Sequence, residues 1–89
     1  MKISRKVKVK NPAGLHTRPA SRIVQMLQGS TSSVYFTCRE EKVNAKSIMS
    51  LLTLAATKNS LITIEVEGED AEQIVGKLVE AFEHQFWEI

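Results

Sequence analysis

From Leu61 to Glu67 the chain alternates without interruption, with Ile62, Ile64 and Val66 set against Thr63, Glu65 and Glu67. A period of two belongs to an extended strand with one buried face. Immediately afterwards the period changes. Behind Gly68-Glu69-Asp70, the residues Ala71, Ile74, Val75, Leu78, Phe82 and Phe86 recur at helical spacing, and Asp70 suits the N-cap. A half-buried strand that runs straight into an amphipathic helix predicts helices packed on one face of a sheet. With 89 residues there is room for one small domain, 1–89, with one modest core.

The rest of the chain reads in the same terms. Residues 2–9 form a strand with Val7 and Val9 on one side and Lys6, Lys8 and Lys10 on the other. Asn11 to Leu15 is a loop. A helix follows to about Gln28, with Ala20, Ile23, Val24 and Leu27 as its apolar stripe and Gly29 as its stop. Val34 to Cys38 and Lys42 to Asn44 read as strands around the turn Arg39-Glu40-Glu41. Ser47 caps a short helix that ends near Leu54. The order is β-α-β-β-α-β-α: an α+β, open-faced β-sandwich with a four-stranded antiparallel sheet and three helices on one face.

Chemistry concentrates in Gly14-Leu15-His16-Thr17-Arg18-Pro19-Ala20-Ser21. His16 falls where the loop becomes a helix, and Pro19 in the first turn gives up no intrahelical bond. A helix start offers free backbone N–H groups and partial positive charge, which suit an anion and disfavour imidazolium. Arg18 adds a guanidinium that grips phosphate oxygens in pairs. A neutral imidazole with these neighbours can carry a phosphoryl group on nitrogen. His84 lies on the polar side of the last helix and takes no role.

Gly14 to Ser21 resembles the active-centre motif of HPr, the histidine-containing phosphocarrier family of the bacterial phosphotransferase system. Lys46-Ser47-Ile48-Met49, with Leu51 and Leu54-Ala55, is similar to that family's second signature. The resemblance covers nearly the whole chain. It implies an open-faced α+β fold and phosphorylation of His16 on Nδ1 (a pros-phosphohistidine), with Arg18 stabilising the phosphate. It implies enzyme I as donor, enzyme IIA components as acceptors, and a carrier rather than a stand-alone enzyme. In some relatives the serine at Ser47 is phosphorylated by a dedicated kinase, which weakens docking. Ile48, Met49 and Leu52 share one face of the short helix, opposite Leu51, Leu54 and Ala55. An exposed apolar face near His16 suggests docking, bordered by Ala20, Arg22 and Gln25.

Composition narrows the alternatives. Hydrophobic content of 43%, charge of 25% and a net charge of +2 fit a soluble domain and do not demand nucleic acid. The single cysteine, Cys38, excludes an internal disulfide and suits a reducing compartment. No apolar run reaches a membrane span, and no signal-peptide core precedes the first strand, so the expected location is cytoplasmic. No metal-ligand spacing is evident, and neither metal nor cofactor is expected. A nucleic-acid module is the second reading, since the element order and the lysine-rich first strand permit it. Its strands lack an evident aromatic platform. A regulatory, nitrogen-type phosphocarrier is a third. A monomer is expected. Phe86-Trp87-Glu88-Ile89 lies where the family's ends vary, and no role is assigned there.

Overall fold

In the computed structural model, which describes residues 1–88, the elements follow the expected order. They are β1 (Lys2–Lys8), α1 (Thr17–Leu27), β2 (Ser33–Cys38), β3 (Glu41–Asn44), α2 (Ile48–Thr53), β4 (Leu61–Glu67) and α3 (Ala71–Glu83). The four strands form one antiparallel sheet in the order β1-β4-β2-β3. β4 therefore sits inside the sheet, which explains why its alternation is the cleanest in the chain. Val66 lies between Ile3 and Val34, and Ile64 between Arg5 and Phe36. Ile62, Ile64, Val66, Val34 and Phe36 are all buried beneath the helices. Each such side chain contributes about 1.5–3 kcal/mol.

The other face of the sheet is polar. Glu65 receives both Lys2 (3.5 Å) and Lys42 (3.4 Å), and the Lys42 amine lies 5.0 Å from the centre of the Tyr35 ring. No helix among the described residues is long and apolar enough to cross a membrane.

Three local expectations are corrected. The α3 stripe continues in burial but not in conformation. The helix ends at Glu83, and Gln85, Phe86 and Trp87 adopt φ of 54°, 54° and 55°. This left-handed turn still buries Phe86 completely, edge-on to Phe82 with ring centroids 4.8 Å apart, while Phe82 meets Phe36 at 5.8 Å. Aromatic packing offsets a conformation that costs about 1–2 kcal/mol per residue. Ala55 is exposed, not buried. It lies beyond α2 with φ 49°, and its neighbours Leu54 and Ala56 fill the core instead. Asp70 occupies the N-cap position of α3, but its side chain does not cap the helix. Its carboxylate accepts a hydrogen bond from the buried Ser32 hydroxyl, tying the start of α3 to the segment before β2.

The Ser32 hydrogen bond, opposed by desolvation and helped by further hydrogen bonds around residues 30 and 31, holds the Asp70 carboxyl below its ordinary value of 3.8. A carboxyl that ionises lower in the folded state stabilises the fold above its unfolded value and loses that contribution as pH falls through the folded one. Ser32→Ala should therefore lower the melting temperature at neutral pH, with the gap to wild type narrowing below roughly pH 4. A gap of constant size across that range would mean that the ionised carboxylate is not what Ser32 holds.

Candidate functional site

The loop before α1 is built on a close approach. Gly14 has φ 74°, and a β-carbon there would collide with the Ala56 carbonyl oxygen. That oxygen accepts the Leu15 N–H at 2.9 Å, and the Gly14 N–H turns back onto the Asn11 carbonyl at 2.9 Å. Only glycine fits both the torsion and the space. With Leu15 buried, the chain leaves this clamp at a fixed angle and His16 becomes the N-cap of α1, in extended conformation (φ −87°, ψ −168°).

The His16 carbonyl accepts the Ala20 N–H at 3.1 Å, while its ring makes no cap bond. The ring is free for other work, and the side chain is 39% exposed. Pro19 has no N–H, so the orphan donors at this helix start are the Thr17 and Arg18 amides. No acidic residue sits in the first turn to neutralise them. Arg18 is exposed and, among the described residues, forms no ion pair. His16 and Arg18 thus both lie at the start of α1.

Two further residues meet the histidine. Glu88 Oε2 lies 2.7 Å from His16 Nε2. Its other oxygen, Oε1, accepts from Asn11 Nδ2 at 2.6 Å, and Asn11 Nδ2 also donates to the Gln85 carbonyl at 2.8 Å. Asn11 is buried, and its Oδ1 has no partner among the described residues. From the sequence alone, Asn11 reads as a loop former and Glu88 has no role. The contact depends on the left-handed turn Gln85–Trp87, which no run of non-glycine residues announces. Ile89 lies outside the described residues.

At α2, Ser47 Oγ accepts the Ser50 N–H at 3.2 Å, so the serine is a true cap. Met49 is 74% exposed, while Ile48 and Leu52 are half-buried against the core. α1 packs against α2 and carries exposed Arg22 and Gln25. Ala20 departs from the expected docking set. It is fully buried, because its place in the α1 stripe faces the core. His84 is exposed and stacks on Trp87 with ring centroids 5.6 Å apart, and Cys38 is a buried free thiol.

A family model described as the PTS HPr component phosphorylation site matches residues 3–84. The chain belongs to the HPr phosphocarrier family. It is 40% identical over 81 residues to the phosphocarrier protein HPr of Chlamydia muridarum, covering 91% of this chain and 78% of that one. A crystal structure of HPr-C-His from Thermoanaerobacter tengcongensis superposes with a TM-score of 0.92 at 33% identity, covering 98% of each chain. A crystal structure of an HPr dimer from the same organism gives 0.77 at 35% identity, covering 92% and 94%. A phosphotransferase-system carrier role follows from the HPr family. The nucleic-acid reading loses its ground, since among the described residues Tyr35 is the only aromatic on the open face of the sheet and Lys42 covers its ring.

Gly14→Ala should destabilise this HPr fold by about 1–3 kcal/mol, the usual cost of forcing a side chain into a left-handed position. Urea denaturation measures it. A loss below about 0.5 kcal/mol, within the range of ordinary surface changes, would mean that the loop slides away from Ala56 at little cost.

Proposed function

We propose that His16 accepts a phosphoryl group on Nδ1 from enzyme I of the phosphotransferase system and passes it to enzyme IIA components, for sugar uptake, regulation or both. One observation carries this reading. His16 is the partly exposed N-cap of α1, where no acidic residue occupies the first turn, and the exposed Arg18 two residues on forms no ion pair among the described residues. A helix start with free N–H groups and a nearby guanidinium suits a phosphoryl group carried there. Nδ1 is also the ring nitrogen that Glu88 leaves open. Catalysis is then positioning and electrostatic stabilisation shared with the docked partner. The chain supplies the acceptor and part of the phosphate's cradle, and a small transient interface suffices.

The docking face centres on Met49, flanked by Ile48 and Leu52 and bordered by Arg22 and Gln25. Burial removes Ala20 from it. Ser47 is the regulatory position, read by a serine kinase and phosphorylase where the cell has them. A phosphate there adds about −1.5 to −2 charge beside the apolar side chains that meet the partner. The transferring unit is the monomer, with His16 and Met49 both open. Gel filtration of the carrier at assay concentration checks that state.

The assay is transfer from enzyme I and phosphoenolpyruvate. Wild type should take one acid-labile phosphate, and His16→Ala none. Labelling that survives in His16→Ala would overturn the assignment. Arg18→Ala should slow transfer by about 10²-fold with stability changed by no more than ~0.5 kcal/mol. Unchanged kinetics would remove Arg18 from the mechanism.

Ser47→Asp should keep its circular dichroism and raise the carrier concentration needed for half-maximal rate. Ser47→Ala should transfer nearly normally and lose at most a cap of roughly 1 kcal/mol. Wild-type rates for Ser47→Asp at every concentration would mean that α2 is not the docking face.

A further inference from the structure

The Glu88 contact is unusual in how it is made. A carboxylate at the next-to-last residue of the sequence reaches His16 only because Gln85, Phe86 and Trp87 wind left-handed. Phe86 anchors that turn in the core, and the buried Asn11 amide grips it twice, at the Gln85 carbonyl and at Glu88 Oε1. Such a conformation persists only when its surroundings over-determine it. Here the surroundings aim one carboxylate oxygen at Asn11 and the other at His16 Nε2. Glu88 retains only 15% of its side-chain exposure, so the contact is shielded more than a surface ion pair.

We propose that Glu88, held by Asn11, is a positioning residue for phosphoryl transfer at His16. The inference rests on the carrier reading above and deepens it. An ionised carboxylate only accepts hydrogen bonds, so at 2.7 Å the proton between the two groups belongs to Nε2. In the neutral ring this leaves the lone pair on Nδ1, the nitrogen that Glu88 does not engage. The same contact fixes the ring plane. In the transfer step the Nδ1 lone pair forms the N–P bond. The bond from phosphorus to the donor's leaving atom breaks, and its electron pair stays with the donor. The Nε2 proton does not move. The ring, now substituted on one nitrogen and protonated on the other, gains a positive charge that the Glu88 carboxylate offsets at contact distance. On onward transfer the N–P bond breaks, its electron pair returns to Nδ1, and the neutral ring is restored with Nε2–H in place.

The test uses the full chain, ¹⁵N-labelled, with Glu88→Gln and Glu88→Ala. In the unphosphorylated wild type, the His16 ring proton on Nε2 should be visible by NMR, protected from exchange by the carboxylate. Glu88→Gln keeps an acceptor and loses the charge, while Glu88→Ala loses both. The ring proton should fade in Glu88→Ala. In single-turnover transfer from phosphorylated enzyme I, both variants should lose about 10-fold or more in limiting rate, the usual scale for a carboxylate behind a working histidine. The carrier concentration at half-maximal rate should stay unchanged, a split that loss of docking would not produce. Trp87 fluorescence and thermal melts confirm that both variants fold. Variants that take phosphate at the wild-type limiting rate would overturn the role of Glu88. A wild-type chain that takes no phosphate would instead overturn the carrier reading, so the two failures are distinguishable.

Discussion

The carbonyl of Ala56 does two things at once. It accepts the Leu15 N–H, and it leaves no room for a side chain at position 14. Everything functional in this molecule hangs from that contact. It fixes how the chain enters α1, where position 16, a histidine rather than a serine or aspartate, is the cap. A Ser or Asp there would spend its side chain on a helix N–H. His16 makes no such bond, and the amides that it leaves unsatisfied are what a phosphate can use.

The second constraint comes from the far end of the chain. α1 and the turn after α3 pack against each other, and the turn carries Glu88 back across the sequence to Asn11 and His16. One ring nitrogen is thereby engaged and the other left open. A carboxylate on Nε2 holds the proton on that nitrogen and leaves the lone pair on Nδ1. On the proposed mechanism, that arrangement lets the ring receive a phosphoryl group and release it again without moving a proton.

Periodicity carried most of the fold into view. β4 reads cleanly because it is an interior strand with one face covered, and α1 because its stripe is continuous. Legibility failed where backbone conformation departs from what the side chains advertise. Phe86 keeps the spacing of the α3 stripe and is buried as that spacing implies, yet it sits in a left-handed turn beyond the helix. Ala55 is small and apolar but occupies a positive-φ position outside α2. Asp70 has the right place for a cap and the wrong partner, because Ser32 approaches from 38 residues away. At the site, His16 and Arg18 were legible as a local motif. Asn11 and Glu88 were not, since their contact spans 77 residues and has no local signature. Ala20 was read both as core and as docking surface, and burial decides for the core.

The account stands on which nitrogen of His16 bonds to phosphorus. With ¹⁵N-histidine incorporated and the chain phosphorylated by enzyme I, one-bond ³¹P–¹⁵N coupling identifies that atom directly. Coupling should appear to Nδ1 of His16, with Nε2 still carrying its proton. Coupling to Nε2 would require Glu88 to have let go, and would contradict both the site geometry and the mechanism built on it.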